Sequence, residues 1–316
     1  MKRVLITGAT GFVGVNLAEK LIKEGHEVHV VVRSGYKSWR IEHLLPHLNL
    51  HVLDLLDRDR LFTAIAQIKP DWVFHLAAFG GYSWQDEPIQ AINTNYIATV
   101  NLLDACLNAG FEVFINTGSC SEYGVKEHAP AEGDHIDPRS YYAVTKAAAT
   151  LFCRYAAQRF NRPIFTLRLY SVYGAFEEPP RLIPSVIMKG LKGGYPTLSA
   201  PETARDFVYT EDVVSAYLLV ARIGHALPPG EIYNVGSGNQ TSIHDVVSVA
   251  RSVFGQELDP VWGSMPNRQG DSSICVAENL KLRSIGWVPR FSFKDGFQLT
   301  VGWFQQNPSL IDRVYR

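Results

Sequence analysis

A tyrosine and a lysine near the middle of the chain have the spacing of a proton-transfer pair. Tyr142 and Lys146 lie four residues apart in SYYAVTK, which opens a long helical pattern, so both side chains project from one face of the helix. An ammonium group beside a phenol favours the ionised phenol and brings its pKa toward the range useful for proton transfer. The pair is a candidate acid/base; the alternative is an ordinary tyrosine and lysine on a helix surface.

A hydroxyl-rich loop is the second candidate for chemistry. NTGSCSEYG, 116–124, follows the apolar run Phe111–Ile115, and the ends of buried strands are where open α/β sheets bind ligands. The loop offers two serines, a cysteine, a glutamate and a tyrosine. The residues alone leave open which of them acts.

Three glycines near the start of the chain predict a phosphate-binding turn. In VLITGATGFVG, 4–14, Gly8, Gly11 and Gly14 lie between an apolar strand pattern and a helical pattern. Glycine permits the tight turn and lets backbone N–H groups approach a pyrophosphate at the helix N-terminus. The context favours dinucleotide binding over a merely structural turn.

The end of the second predicted strand indicates which dinucleotide binds. Enzymes that use NAD commonly place an acidic residue there to hold the ribose hydroxyls, but this chain continues from Val32 into RSGYKSWR. Arg33, Lys37 and Arg40 form a basic cluster suited to a 2′-phosphate. We therefore expect NADP(H), with NAD as the less favoured cofactor and a solvated basic loop as the bland alternative.

Buried strand patterns alternate with helical ones through the first half of the chain. The predicted strands are Val4–Thr7, Glu27–Val32, Leu50–Leu53, Trp72–Leu76, Phe111–Asn116 and Ile164–Leu169. The predicted helices lie around Val13–Glu24, Arg58–Ile68, Ile92–Asn108 and Tyr142–Phe160. This alternation is typical of an α/β fold with a Rossmann-type doubly wound parallel sheet.

The pattern changes after about residue 170, where prolines and glycines interrupt it and shorter elements follow. A helix beginning near Thr210 and a strand at Ile232–Val235 resume the alternation. We expect 1–169 and 205–238 to form the NADP-binding domain, and 170–204 and 239–316 to form a smaller, discontinuous C-terminal substrate-binding portion.

Composition narrows the classes of partner. The formal net charge of −1 disfavours nucleic acid as a partner. The four cysteines lack zinc spacing, so no metal is expected and a reducing compartment is favoured. The sequence contains no run of about 18 apolar residues, so no membrane span is predicted. The chain opens directly into a strand pattern without a signal-peptide pattern. These features together predict a cytoplasmic protein.

The ordered motifs resemble the extended short-chain dehydrogenase/reductase family, whose members epimerise, dehydrate or reduce nucleotide-diphosphate sugars. The matching stretches span nearly the whole chain: GATGFVG (8–14), DLLD (54–57), HLAA (75–78), NYIAT (95–99), YAVTK (142–146), LRLYSVYG (167–174), RDFVYTEDVV (205–214), YNVGSG (233–238) and RQGD (268–271).

The resemblance implies roles for matching residues. The catalytic serine or threonine of the family lies four residues before the tyrosine of the closing YG, which points to Ser119 beside Tyr142 and Lys146. The implied cofactor-binding residues are Gly8, Thr10, Gly11, Phe12, Val13, Gly14, Arg33, Lys37, Arg40, Asp54, Leu55, Leu76, Ala77, Ala78, Asn95, Tyr142, Lys146 and Tyr170. The implied substrate-binding residues are Ser83, Ser119, Cys120, Ser121, Ser171, Arg205, Arg268 and Asp271.

The loop residues after Ser119 separate the reactions of this family. The resembled dehydratases carry acids immediately after the catalytic hydroxyl, where this chain has Cys120 and Ser121. Glu122 follows, and alternation in an extended loop is expected to point it away. The resemblance thus favours a reductase of the C4 ketone of a nucleotide-diphosphate 4-keto-6-deoxyhexose, with patches similar to CDP-abequose and CDP-paratose synthases and to GDP-mannose dehydratases.

Three alternatives remain: a 4-epimerase, a dehydratase that uses the Cys120 thiol, and a non-catalytic NADP-binding regulatory protein. Ser171 and Ala175 depart from the family's asparagine and proline, which leaves the identity of the sugar open. The apolar helices around 92–108 and 142–160 resemble those that pair relatives into homodimers, so a homodimer is expected.

Overall fold

The computed structural model describes residues 1–82, 84–255, 257, 259–264 and 275–314. The chain divides into two compact units. The first unit comprises Met1–Gly124, Glu132–Leu169 and Val214–Asn234, and the second comprises Val125–Ala131, Tyr170–Val213 and Val235–Arg316. The assignment of cofactor and substrate binding to separate portions of the chain stays a prediction.

Eleven strands are found in the described part of the chain. In chain order they are β1 Arg3–Thr7, β2 Glu27–Val32, β3 Leu48–Val52, β4 Trp72–His75, β5 Val113–Ser119, β6 Ile164–Leu169, β7 Ser171–Tyr173, β8 Ala204–Arg205, β9 Phe207–Tyr209, β10 Ile232–Val235 and β11 Thr241–Ser242.

The helices alternate with these strands. They are α1 Phe12–Lys23, α2 Arg58–Ile68, α3 Pro88–Ala91, α4 Ala98–Ala109, α5 Tyr141–Phe160, α6 Leu182–Gly190, α7 Thr210–Ile223, α8 Ile243–Phe254, α9 Leu280–Ser284, α10 Phe293–Gln306 and α11 Pro308–Val314. A π-helical segment, Ile92–Ile97, joins α3 to α4, and 3₁₀ turns occupy Glu42–His47, Cys120–Tyr123 and Gly224–Ala226.

Seven strands form the central sheet in the order β10-β6-β5-β4-β1-β2-β3. From β3 to β6 every neighbouring pair runs parallel. This confirms the Rossmann-type doubly wound sheet. The order reverses between β1 and β4, so the carboxyl ends of β1, β4 and β5 lie side by side, where such sheets bind their ligands.

The core of the first unit explains why these segments are strands. β4 and most of β1 are buried, as strands covered by helices on both faces must be. Leu5, Val73 and Phe114 pack with Leu61 of α2 and Leu102 of α4 in one apolar cluster. Burial of this surface, rather than the propensity of single residues, holds the strand ends in register.

Several predicted bounds are confirmed: Glu27–Val32, Arg58–Ile68, Ile164–Leu169 and Ile232–Val235. Others were wrong by a few residues. Strand β5 was expected at Phe111–Asn116 but runs from Val113 to Ser119. Phe111 instead precedes the strand, where its carbonyl oxygen accepts a hydrogen bond from Arg162. The shift places Ser119 at the last position of a strand rather than in the loop beyond it.

The helix expected over Ile92–Asn108 also differs. The helical region begins upstream with α3 at Pro88. The segment that follows, Ile92–Ile97, is π-helical. A π-helical turn is a rare, short insertion in an α-helix, so the helical periodicity of the surrounding sequence predicted an ordinary helix here.

The second unit contains two small sheets around an aromatic core. β7 pairs with β9 in parallel, and β8 pairs with β11 in antiparallel orientation. Tyr173, Phe207, Tyr209, Phe293 and Phe297 contact one another in the core. Within the described residues, no helix combines the length and the hydropathy that crossing a membrane requires.

Candidate active site

Ser119 occupies the junction between β5 and the 3₁₀ turn Cys120–Tyr123, whose N-terminus it caps. Its Oγ accepts hydrogen bonds from the Ser121 N–H at 3.2 Å and from the Ser121 hydroxyl at 2.9 Å. A hydroxyl that accepts two hydrogen bonds can still donate its own hydrogen. Ser119 is therefore set up as a donor toward an oxygen placed at the sheet edge.

Glu122 completes a capping box with Ser119 and turns into the protein. Its Oε1 accepts the Ser119 N–H at 2.8 Å, and its Oε2 accepts Nε of Arg168 at 2.8 Å. The Glu122 and Arg168 side chains are 0% and 2% exposed. The expectation that Glu122 points away is confirmed, but its stated reason was wrong, because the segment is a helical turn and not an extended loop.

Gly118 makes room for this carboxylate, a role that the sequence reasoning missed. A Cβ at Gly118 would lie 2.6 Å from Oε1 of Glu122 and 2.8 Å from a methyl group of Thr166. Neither neighbour is free to move, since one is ion-paired and the other is in β6. The pairing of a glycine with a glutamate four residues later is the signal that was available in the sequence.

Helix α5 presents the predicted tyrosine–lysine pair. Ser140 caps its N-terminus by accepting the Ala143 N–H at 3.1 Å. The Lys146 Nζ donates to the Thr117 carbonyl oxygen at 2.8 Å and lies 6.0 Å from the centre of the Tyr142 ring. Because Thr117 belongs to the same strand as Ser119, one hydrogen bond ties the helix pair to the serine strand.

Burial changes the electrostatics of this lysine. The Lys146 side chain is inaccessible, and desolvation lowers its pKa to about 8, although the Glu122 carboxylate and Cys153 act in the opposite direction. The ammonium form still prevails near neutral pH. Tyr142 is half-buried.

The glycine loop has the geometry of a dinucleotide cradle. Gly8 has a positive φ of 77°, and a Cβ there would lie 2.5 Å from the Ala77 N atom. A Cβ at Gly14 would lie 2.2 Å from the Gly8 carbonyl oxygen. The turn at Gly11 has no side-chain cap, so the first N–H groups of α1 remain available for phosphate oxygens. The residues present therefore fit a dinucleotide.

The basic cluster after β2 divides into two parts. Arg33 and Lys37 are exposed. Arg40 is buried, its guanidinium lies 4.0 Å from the centre of the Trp39 ring, and its Nη1 donates to the Thr10 carbonyl oxygen at 3.3 Å. Arg40 thus braces the glycine loop, whereas Arg33 and Lys37 are exposed to solvent.

Two buried polar groups position the segment after β4. The Asn95 amide bonds to both the N–H and the carbonyl oxygen of Phe79 at 2.8 Å and donates to Thr145 at 2.9 Å. His75 bridges the hydroxyls of Thr7 and Thr99 at 2.7 and 2.8 Å. These bonds fix the backbone that leads through Leu76, Ala77 and Ala78, the last of which is exposed.

The remaining predicted residues are distributed as follows. Asp54 is exposed in the turn after β3, where its carboxylate accepts the Leu56 N–H, and Leu55 is buried. Phe12 and Val13 begin α1. In the second unit, Tyr170 precedes β7, Ser171 begins it, and the Arg205 Nη1 donates to the Ala204 carbonyl oxygen at 2.7 Å. Ser83, Arg268 and Asp271 lie outside the described residues.

Comparison with known proteins gives the family. The sequence model of the NAD dependent epimerase/dehydratase family matches residues 4–236, from β1 to just past β10. The chain belongs to this family. The predicted resemblance to nucleotide-sugar-modifying short-chain dehydrogenases/reductases is confirmed.

Individual relatives agree with this assignment. A trifunctional UDP-glucose 4,6-dehydratase/UDP-4-keto-6-deoxy-D-glucose 3,5-epimerase/UDP-4-keto-L-rhamnose-reductase from Arabidopsis thaliana is 27% identical over 97% of this chain, which spans only 48% of that protein. The UDP-glucose 4-epimerase of Thermotoga maritima, solved with UDP-glucose, is 27% identical, with a TM-score of 0.86 and coverage of 96% and 99% of the two chains.

A third relative was solved with a dinucleotide. The UDP-glucose 4-epimerase of Thermus thermophilus in complex with NAD is 28% identical, with a TM-score of 0.83 and coverage of 96% and 99%. The family is dependent on a nicotinamide dinucleotide.

The glycine cradle predicts the effect of a single methyl group. We expect Gly14→Ala to weaken binding of the reduced nicotinamide dinucleotide at least about tenfold, because the Cβ forces Gly8 out of its turn. Gly133→Ala is the matched control, since a Cβ there meets nothing within 4 Å. Equilibrium binding by nicotinamide fluorescence measures the difference. Equal affinities of the two variants would show that the cradle does not hold the dinucleotide.

The double acceptance at Ser119 predicts a graded loss of activity. We expect Ser121→Ala to lower kcat about 2- to 10-fold, because one polarising hydrogen bond is lost while the Ser119 hydroxyl remains. Ser119→Ala is expected to cost about 10²- to 10³-fold. Steady-state kinetics on both variants give the comparison, and a Ser121→Ala loss as large as that of Ser119→Ala would contradict the assignment of the donor to Ser119.

Proposed function

We propose that the protein is an NADPH-dependent reductase of the C4 ketone of a nucleotide-diphosphate 4-keto-6-deoxyhexose. The observation that carries this proposal is the basic segment after β2, where exposed Arg33 follows the strand directly, exposed Lys37 comes four residues later, and residues 33–41 contain no acid to hold a free ribose hydroxyl. A guanidinium and an ammonium group there suit a 2′-phosphate. A reductase consumes a diffusible reductant, and NADPH fits that use.

Three side chains carry the proton chemistry in this proposal. When bound, the nicotinamide supplies the hydride that reaches the sugar C4. Tyr142 gives a proton to the oxygen that becomes negative, and Ser119 donates a hydrogen bond to the same oxygen. Lys146, held at the Thr117 carbonyl oxygen, stabilises the tyrosinate that remains and would hold the nicotinamide ribose.

Elimination of water from the sugar is disfavoured by the same loop. A dehydratase needs a base for the C5 proton, and the carboxylate of Glu122 is ion-paired inside the protein. Cys120 and Ser121 offer only a thiol and a hydroxyl. The proposal therefore ends at the carbonyl group, and a thiol-based dehydratase is the variant that product analysis would reveal.

A 4-epimerase is the second candidate, and the solved relatives favour it. Both structures compared above are UDP-glucose 4-epimerases, and one holds NAD. The same serine, tyrosine and lysine would serve an epimerase, which takes hydride from C4 and returns it to the opposite face. The presence of both Tyr142 and Lys146 argues against the third reading, a non-catalytic NADP-binding regulator.

The substrate side of the proposal rests on the family resemblance. We assign Ser171, Arg205, Arg268 and Asp271 to the nucleotide sugar, with a CDP-linked substrate as the first to test, and the second unit to substrate binding. A cytoplasmic location suits a reductase that draws on NADPH. The free thiols of Cys106 and Cys153, both buried, fit such a reducing compartment.

We also propose a homodimer. On α5 the exposed Tyr141, Val144, Leu151 and Tyr155 follow one another at intervals of three, seven and four residues, the spacing of a helix seam that packs on another helix. Exposed Ile89 and Ile92 add to the apolar surface just before α4. A contiguous exposed patch of this kind marks a protein interface, and a second copy of this chain is its proposed occupant.

Turnover distinguishes the two candidate reactions. We expect oxidation of one NADPH for each CDP- or dTDP-linked 4-keto-6-deoxy sugar that is reduced, followed by absorbance at the nicotinamide band. Tyr142→Phe should lower kcat about 10²- to 10⁴-fold, because it lacks the proton donor, while NADPH binding is preserved. Tightly co-purifying NAD, together with interconversion of C4 epimers and no net redox change, would establish the epimerase instead.

The apolar seam predicts the state of association. We expect light scattering after gel filtration to give a dimer for the wild-type protein and a monomer for Leu151→Glu, because a carboxylate in an apolar seam is left unpaired. Leu299→Glu, at an exposed leucine of α10, is the control and should remain dimeric. A monomeric wild-type protein, or a dimeric Leu151→Glu variant, would refute this interface.

A further inference from the structure

A network of buried charges lies beneath the serine loop and has no part in the roles assigned above. Its centre is the Glu122–Arg168 ion pair. Arg168 also places its guanidinium 4.5 Å from the centre of the Tyr123 ring, and the Tyr123 hydroxyl donates to Asn234 at 2.7 Å. The network involves residues of β5, the 3₁₀ turn Cys120–Tyr123, α5, β6 and β10. It therefore connects five elements of the first unit.

We propose that Glu122, held by Arg168, is a positioning residue for the catalytic groups: it fixes the backbone of Ser119 and sustains the positive charge of Lys146. The proposal deepens the proposed function and rests on it. A buried ion pair is weak support for stability, because desolvation of the two charges offsets much of their attraction. Another reason for keeping the pair is therefore needed, and the catalytic loop supplies one.

The hydrogen bonds of Glu122 connect it to both catalytic elements. Three donors converge on the Glu122 carboxylate: the Ser119 N–H and the Thr150 hydroxyl on Oε1, at 2.8 and 3.1 Å, and Arg168 on Oε2. The bond to the Ser119 N–H holds the residue that carries the catalytic hydroxyl. The bond to Thr150 anchors the carboxylate to α5, the helix that carries Tyr142 and Lys146.

Glu122 also contributes to the electrostatic surroundings of Lys146. Among the described residues, four titratable groups interact with Lys146. Tyr142 and Cys153 lie on the same helix, Glu122 on the 3₁₀ turn and His75 on β4. Burial raises the pKa of Cys153 to about 12 and lowers that of His75 to about 3, so both are neutral near pH 7. Glu122 is then the negative charge that favours the ammonium form of Lys146.

The ion pair with Arg168 keeps that charge in place. Burial disfavours the charged form of Arg168, but the charge interactions and hydrogen bonds with Glu122 and Tyr123 together outweigh burial and raise the pKa of the guanidinium. Arg168 remains protonated throughout the working pH range, and its Nε lies 2.8 Å from Oε2 of Glu122. Arg168 thus acts through Glu122 and not on the substrate.

Glu122→Gln separates the charge from the hydrogen bonds. The glutamine oxygen can still accept the Ser119 N–H, but no negative charge faces Lys146, so its ammonium form is lost at lower pH. We expect the alkaline limb of the kcat–pH profile to move to lower pH by about one unit. The same shift is expected in the pH dependence of NADPH binding, which does not require turnover.

Thr150→Val is the matched control, because it removes a hydrogen bond from Oε1 without changing any charge, and its alkaline limb should match that of the wild-type protein. If Glu122→Gln does not fold, Glu122→Gln/Arg168→Met removes both charges and should shift the limb in the same direction by a smaller amount, because loss of the Arg168 charge partly compensates. A folded variant with the wild-type alkaline limb in both profiles overturns the proposal. If the wild-type protein turns over none of the sugars, only the proposed function is contradicted. The pH dependence of NADPH binding still tests the effect of Glu122 on Lys146.

Discussion

The ion pair between Glu122 and Arg168 determines what the carboxyl end of β5 can do. It draws the single carboxylate of the loop into the protein, where it also receives the Ser119 N–H. Gly118 is required because this carboxylate passes over it. The accessible part of the loop is then left with hydroxyl and thiol groups, which suit hydrogen bonding to an oxygen better than abstraction of a proton from carbon.

The rest of the site is assembled around the same strand. Lys146 reaches from α5 to the Thr117 carbonyl oxygen, two residues before Ser119. Beyond the ends of β1 and β4, Gly8 packs against the backbone at Ala77, and Asn95 of the π-helical segment holds Phe79. Parallel strands that end at one edge therefore bring together groups that are far apart in sequence. This is why a small number of backbone contacts can define both the dinucleotide cradle and the proton-transfer groups.

The sequence predicted much of this arrangement because its strongest signals are local. The glycine loop, the spacing of Tyr142 and Lys146, and the alternation of buried strands with helices each occupy a short stretch with a regular pattern. The direction of Glu122 was predicted for the wrong reason, because a capping box depends on a reciprocal pair of hydrogen bonds rather than on periodicity. The π-helical segment depends on packing between distant segments. The same holds for the burial of Arg40 against the glycine loop, which distinguishes it from the exposed Arg33.

The hydroxyl and thiol groups of this loop disfavour elimination, and product analysis in D₂O tests that conclusion most directly. The protein would be incubated with UDP-glucose and either NAD or NADP, and the sugar examined by mass spectrometry and NMR. We expect that the C6 hydroxyl is retained and that no deuterium enters at C5, whether or not C4 is epimerised. A 4-keto-6-deoxy product carrying deuterium at C5 would contradict it.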